Sequence, residues 1–128
     1  MLRVLLADDS DLILDRLQQM LRLHPLVEIA GSFKDGIKTL EALKSLKPDL
    51  AIVDIKMPGL TGLEVLHEIR KEDSHLKFMI LTFYSSENYR KLAISYGADY
   101  FFSKVDDFEK ISGVVSELLD GPSDLHIN

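Results

Sequence analysis

The chain has 128 residues, 46% of them hydrophobic and 28% charged, which is the balance of a globular protein with one domain. Its formal net charge of -6, without a run of Lys or Arg, argues against binding to nucleic acid or to a membrane surface, and the absence of cysteine excludes disulfides and thiolate chemistry. Because no apolar run is long enough to cross a membrane and acids follow soon after the N-terminus, we expect a cytoplasmic protein without a secretory signal.

Short apolar runs alternate along the chain with segments that have helical spacing. The predicted strands are residues 3–7, 27–33, 50–54, 77–82 and 99–103. The predicted helices are residues 10–23, 35–47, 60–72, 86–96 and 106–119. The runs are apolar throughout rather than alternating, which is typical of strands buried on both faces of a parallel sheet.

The helices also carry start and stop signals. Ser10 is placed to cap the first helix, Pro48 to end the second, and Gly97 to terminate the fourth. The spacing predicts that residues of the second helix face inward, namely Ile37, Leu40, Leu43 and Leu46.

Strand and helix in strict alternation predict an α/β fold, a three-layer (βα)5 sandwich with helices on both faces of a parallel sheet. We expect the open flavodoxin-like strand order 2-1-3-4-5, with a site beyond the carboxyl ends of strands 1 and 3. The predicted domain covers residues 1–120, and residues 121–128 read as an exposed C-terminal tail.

Five polar side chains directly follow strands at the predicted carboxyl edge. Asp8 and Asp9 follow the first strand, Asp54 the third, Thr82 the fourth and Lys104 the fifth. Three carboxylates brought together repel one another and favour a cation. An oxygen-only set selects a hard ion such as Mg²⁺, with Mn²⁺ as a substitute.

This set of residues suits phosphoryl chemistry. An aspartate held beside a divalent ion is a competent nucleophile toward phosphorus, since it can form an acyl phosphate. Thr82 and Lys104 would bind the remaining phosphoryl oxygens. A purely structural interpretation of Asp8 and Asp9 stays open, in which the two acids stabilise the N-terminal dipole of the following helix.

The stretches "LLADDS", "IVDIKMPGLTG", "MILT" and "YFFSK", each ending a predicted strand, together resemble the motifs of the receiver domain of two-component response regulators. The resemblance implies that Asp54 is the phospho-acceptor. It further implies that Mg²⁺ is held by Asp9, Asp54 and the backbone carbonyl of Lys56, with Asp8 acting through metal-bound water.

The resemblance also implies a switch and partners. Thr82 and Phe101 would respond to phosphorylation and change the face made by helix 4, strand 5 and helix 5. The phosphodonor would be a histidine kinase or a histidine phosphotransfer protein. The output would be an unknown downstream protein or an output domain absent from this chain, and a phosphorylation-dependent homodimer is a further expectation.

Tyr89, Tyr96 and Tyr100 lie in the segments of that face, where exposed tyrosines would suit an interface, although core packing explains at least one of them more simply.

Two residues depart from the family pattern. Phe83 follows Thr82 where a small residue is usual, which predicts restricted access to the site. Val105 follows Lys104 where proline in a cis bond is common, so we expect a trans peptide here. Lys56 and Tyr84 occupy positions that tune phosphoryl lifetime in the family.

Two alternatives to a phospho-accepting signalling domain remain. An interaction scaffold of the same fold that is never phosphorylated is supported by the bulky Phe83. A phosphoester hydrolase acting through Asp54 is weaker, because Lys56 rather than a second acid stands two residues beyond it. We expect no enzyme in the ordinary sense, although a phospho-acceptor assists its own phosphorylation and dephosphorylation.

Overall fold

Five parallel strands form one sheet in the order β2-β1-β3-β4-β5, as predicted. The computed structural model describes residues 1–120, and the predicted tail at 121–128 lies outside the described residues. The strands are β1 Leu2–Ala7, β2 Val27–Phe33, β3 Leu50–Val53, β4 Lys77–Thr82 and β5 Tyr100–Ser103. The helices are α1 Asp11–Leu21, α2 Gly36–Leu46, α3 Gly62–Ile69, α4 Glu87–Ser95 and α5 Lys110–Asp120.

The sheet is the middle of three layers, which confirms the predicted sandwich. Successive residues of the inner strands face opposite sides, so Ala51 and Val53 of β3 pack with α2, α3 and α4. Leu50 and Ile52 of the same strand pack with α1 and α5 on the other side. Burial on both faces explains why the inner strands are apolar throughout.

The prediction of two-sided burial was wrong for β2. This strand pairs only with β1, because it is an edge of the sheet, and its residues are half-buried or exposed. An edge strand has a neighbour on one side only, so its apolar run does not require full burial.

Three helix ends follow their local signals. Ser10 accepts a hydrogen bond from the backbone N–H of Ile13 at 3.3 Å and so caps α1. Lys47 ends α2 in the left-handed conformation at φ 46°, one residue before Pro48. Gly97 follows α4 at φ 104°, a conformation that glycine adopts without strain.

The inward orientation predicted for Ile37 was wrong, since this side chain is 51% exposed. The buried face of α2 is centred on Gly36, Thr39 and Leu43. Gly36 lies so close to the backbone of Leu60 that a Cβ atom would be 2.0 Å from its carbonyl oxygen. This close approach sets the rotation of the helix and leaves Ile37 at the outer edge of the buried face.

The last helix begins at Lys110 and not at residue 106, because the segment from 104 to 109 is held in turns. Ser103 Oγ accepts hydrogen bonds from the backbone N–H groups of Val105 and Asp106. Asp107 accepts one from the backbone N–H of Ser103 at 2.9 Å. Side chains that bond nearby backbone groups compete with helix formation in this way.

Every peptide bond between described residues is trans, including the one that joins Lys104 to Val105, as expected. Over residues 1–120, none of the helices combines the length and the apolar character needed to cross a membrane.

Candidate functional site

The backbone continues the sheet pattern at the carboxyl edge and places two acids side by side. Asp8 comes directly after β1, and its N–H donates to the carbonyl oxygen of Phe33 at 3.0 Å. Asp54 comes directly after β3, and its N–H donates to the carbonyl oxygen of Ala7 at 3.0 Å. Adjacent parallel strands therefore deliver both carboxylates to the same rim.

Asp8, Asp9 and Asp54 form an acidic cluster, with one carboxylate oxygen of each lying within 4.8 Å of the others. Asp8 is 1% exposed and Asp54 6% exposed, whereas Asp9 is open to solvent. Oxygen donors at this spacing, without His or Cys, fit a hard divalent ion that keeps several waters. The donor set of the cluster thus suits Mg²⁺.

Lys104 lies between the two buried acids. Its Nζ is 2.6 Å from Asp8 Oδ2 and 2.8 Å from Asp54 Oδ2. The other oxygen of each acid accepts a backbone hydrogen bond, from Ser10 N–H to Asp8 Oδ1 at 2.9 Å and from Ile55 N–H to Asp54 Oδ1 at 2.7 Å. Burial of these charges is tolerated because each of them is paired and hydrogen-bonded.

The same contacts shift the ionisation of the site. Burial raises the pKa of Asp8 above its usual value, and the charge of Asp54 adds to the rise, while the hydrogen bond from Lys104 opposes it. Burial by itself would lower the pKa of Lys104, but the hydrogen bonds and charges of Asp54 and Asp8 outweigh it and raise that pKa. Lys104 therefore carries its positive charge at neutral pH.

The remaining predicted residues lie around this cluster. Thr82 is fully buried, its carbonyl oxygen accepts from Lys104 N–H at 3.0 Å, and its Oγ1 accepts from Tyr84 N–H at 3.0 Å. Lys56 is exposed, with Nζ 5.3 Å from the centroid of the Tyr84 ring. The structure thus places Thr82 beside Lys104 at the carboxyl edge.

Phe101 lies inside the domain rather than at the rim. Its side chain is 3% exposed and packs in the core with α4, where the guanidinium of Arg90 is 5.0 Å from the ring centroid. Tyr89 and Tyr96 are half-buried against the same core, and Tyr100 against the opposite one. Core packing therefore explains the partial burial of these tyrosines, which was the simpler interpretation of their position in the sequence.

Phe83 makes a contact that the sequence did not predict. Its side chain is 61% exposed, and the ring centroid is 4.8 Å from Lys104 Nζ. A bulky residue beside Thr82 is visible in the sequence, but its pairing with a lysine of another loop depends on how the two loops fold.

The match to a known family agrees with this geometry. A model of the response regulator receiver domain matches residues 4–116. The chain belongs to the response regulator receiver domain family. Phosphorylation and Mg²⁺ binding in two-component systems are typical of these receiver domains.

This receiver domain is 38% identical over 120 residues to protein-glutamate methylesterase/protein-glutamine glutaminase 1 of Methanospirillum hungatei, covering 92% of this chain and 35% of that protein. It is 31% identical to the chemotaxis protein CheY of Halobacterium salinarum, covering 91% of this chain and 96% of that protein. A solved CheY-like receiver domain protein from Methanospirillum hungatei superposes with a TM-score of 0.83 at 26% identity, covering 97% of this chain and 98% of that one. The chain spans about a third of the methylesterase, so the activity named for that whole protein is not transferred to this receiver domain.

Gly62 holds the loop of the receiver domain that follows Asp54. Its N–H donates to the carbonyl oxygen of Ile55 at 2.8 Å, and a Cβ atom at this position would lie 2.0 Å from the carbonyl oxygen of Asp54. The added Cβ atom would clash with backbone and not with the end of a flexible side chain, so the loop itself would have to move. Sequence reasoning missed this residue, although the "TGLE" capping signal marks the turn that contains it.

We expect Gly62→Ala to destabilise the domain by about 2 kcal/mol or more, because a backbone clash in a packed region forces strain. Gly113→Ala is the matched control, since this glycine lies in α5 with nothing within 4 Å of the added atom. The control should stabilise the domain by about 0.5–1 kcal/mol, as alanine favours a helix over glycine. Urea unfolding of both variants measures the two effects, and equal midpoints would contradict the role of Gly62.

Proposed function

We propose that this receiver domain accepts a phosphoryl group on Asp54 from a phosphohistidine of a histidine kinase or a histidine phosphotransfer protein. The observation that carries the proposal is the position of Asp54 at the rim, in contact with Lys104 and clustered with Asp8 and Asp9. A nucleophilic oxygen, a cation for the phosphoryl oxygens and a set of metal ligands thus occupy one site. The unphosphorylated scaffold gains no support from the comparisons.

The acidic cluster would hold Mg²⁺, or Mn²⁺ in its place, through Asp9, Asp54 and the backbone carbonyl of Lys56, with Asp8 acting through water. A bound divalent ion would offset the negative charge that builds up when a phosphoryl group approaches carboxylates. The observed donors fit this use, because they are oxygens only and one of them, Asp9, is open to solvent.

The chemical step transfers the phosphoryl group from a histidine nitrogen to a carboxylate oxygen of Asp54. A carboxylate oxygen of Asp54 forms a bond to phosphorus as the bond from phosphorus to the histidine nitrogen breaks. The nitrogen keeps the electron pair, takes a proton, and leaves as neutral imidazole. Lys104 and Thr82 stabilise the phosphoryl oxygens from the side of β4 and β5, where their backbones are joined by a hydrogen bond.

Phosphorylation adds about -1.5 to -2 charges next to Lys104. We propose that Lys104 and Thr82 then shift toward the new phosphoryl group, and that Phe101 changes its packing between β5 and α4. The face of α4, β5 and α5 would thereby bind a downstream protein, an output domain or a second copy. We place this signalling step in the cytoplasm. A chain without cysteine agrees with a reducing compartment, in which disulfides are rare.

A two-step titration tests the proposal. Amide NMR spectra recorded with increasing Mg²⁺ should shift at Asp9, Asp54 and Lys56, and addition of beryllofluoride, a mimic of the phosphoryl group, should then shift Thr82, Lys104 and Phe101. Mg²⁺ shifts confined to other surfaces, or spectra unchanged by beryllofluoride, would favour the unphosphorylated scaffold.

A further inference from the structure

The loop between β3 and α3 packs against the first turn of α2. The N–H of Gly36 donates to the carbonyl oxygen of Pro58 at 2.9 Å. The carbonyl oxygen of Leu60 lies so near that it would be 2.0 Å from a Cβ atom added to Gly36. Glycine, which has no side chain, allows two backbones to approach this closely. The far end of the loop is therefore held by α2, a helix that contributes no residue to the acidic cluster.

The first turn of α2 is a firm support for the loop. Asp35 caps the helix, since its Oδ1 accepts from the backbone N–H of Lys38 at 2.8 Å. The side chain of Ile37 is half exposed but lies over the loop, because a Cβ atom added to Gly59 would be 3.1 Å from Ile37 Cδ1. Two successive residues of α2 thus contact the loop, one through its backbone and the next through its side chain.

The near end of the loop holds the carboxylate of Asp54. The N–H of Ile55 donates to Asp54 Oδ1 at 2.7 Å, and the carbonyl oxygen of Ile55 accepts from Gly62 N–H at 2.8 Å. Lys56 follows Ile55 directly and comes two residues before Pro58, so its carbonyl group lies between the two ends that are held. Because folded proteins are densely packed, a shift forced at one end of so short a loop reaches the other end.

We propose that Gly36 is a positioning residue for divalent-ion binding, acting through the loop that it holds at Pro58. The position of this loop sets the direction of the Lys56 carbonyl and of the Ile55 N–H that bonds to Asp54. The inference rests on the proposed function, in which Asp54 and the Lys56 carbonyl hold Mg²⁺. Groups that orient metal ligands without touching the ion change its affinity by about 10–100-fold when they are altered.

A titration with Mg²⁺ alone tests the proposal in wild type, Gly36→Ala and Ile37→Ala. We expect Gly36→Ala to bind Mg²⁺ about tenfold more weakly, because the added Cβ atom pushes the loop away from α2. Ile37→Ala, which loses only a side-chain contact, should show a smaller loss. Amide NMR shifts of Asp9 and Asp54 give the dissociation constants, and circular dichroism checks that each variant is folded. The Ile55 amide signal of Gly36→Ala should differ from wild type even without Mg²⁺.

Leu21→Ala is the matched control for a loss of stability alone. Leu21 is fully buried at the end of α1, on the opposite side of the sheet from α2, and its truncation leaves a cavity that destabilises the fold. This variant should keep the wild-type Mg²⁺ affinity and the wild-type Ile55 signal.

Equal Mg²⁺ affinity in Gly36→Ala and wild type, or an equal loss in Leu21→Ala, would overturn the positioning role. If Gly36→Ala does not fold, Ile37→Ala decides, and wild-type affinity in that variant would overturn the role. Wild-type protein that binds no Mg²⁺ at Asp9 and Asp54 would instead overturn the proposed function.

Discussion

An Asp54→Asn variant is expected to gain no phosphate from phosphoramidate and Mg²⁺, whereas the wild-type domain gains one. The amide of asparagine has nearly the shape of the carboxylate but lacks the anionic oxygen that attacks phosphorus. The fold should survive, because Lys104 keeps its contact with Asp8 and the site loses one of three clustered negative charges. We expect incorporation below about 1% of the wild-type level by intact mass.

Asp11→Asn is the matched control for this experiment. Asp11, like Asp54, is an aspartate, and it is the first residue of α1. Its side chain is 77% exposed and pairs with Lys34 on the surface. The control should gain phosphate at the wild-type rate. A gain in Asp54→Asn equal to that of Asp11→Asn would remove Asp54 from the acceptor role.

Lys104→Met is expected to lower both stability and reactivity. Methionine leaves Asp8 and Asp54 buried without their shared cation, and removing one partner of a buried charge set costs about 3–5 kcal/mol. We expect a fall in melting temperature of roughly 10–20 °C, measured by circular dichroism without Mg²⁺. Phosphorylation should slow by about 10²-fold or more, since a charge that stabilises the phosphoryl oxygens is lost.

The pH dependence of the stability of Lys104→Met follows from the shifted pKa of Asp8. Its pKa is already raised in the folded domain, mainly by burial, and loss of Lys104 removes a contact that lowers it. A raised folded pKa means that the group favours folding when it is protonated and that this contribution is lost as pH rises through the folded pKa. The loss of folding stability caused by Lys104→Met should therefore be largest at neutral pH, and it should become smaller as the pH is lowered toward the raised pKa of Asp8.

Lys34→Met provides the comparison for an exposed ion pair. Lys34 Nζ is 2.9 Å from Asp11 Oδ1, a distance similar to those in the site, but both side chains are more than half exposed. Exposed pairs contribute about 0–1 kcal/mol, so this variant should unfold close to the wild-type temperature. Equal losses in the two lysine variants would contradict the importance of burial at Lys104.

The order of elements and the residues of the site could be predicted from the sequence, because their signals are local. Apolar runs, helical spacing and caps such as Ser10 act over a few residues, and a parallel sheet brings the ends of its strands to one edge. The sequence therefore predicts that Asp8, Asp54 and Lys104 lie close together. The strand order was instead expected from the known flavodoxin-like arrangement of open α/β sheets.

The orientation of individual side chains depended on neighbours distant in the sequence. Ile37 has helical spacing suited to the core, yet the close approach of Gly36 to Leu60 turns it outward. Residues 106–109 could extend the last helix by pattern alone, yet the side chains of Ser103 and Asp107 hold them in turns.

The amino-acid sequence by itself determined the fold class and the set of residues at the carboxyl edge, since periodicity and strand ends are encoded in neighbouring residues. Only the tertiary structure decided that Lys104 joins Asp8 and Asp54 and that Phe83 lies beside it. These contacts bring together residues from four different loops, and their distances depend on how the loops pack rather than on any pattern within one of them.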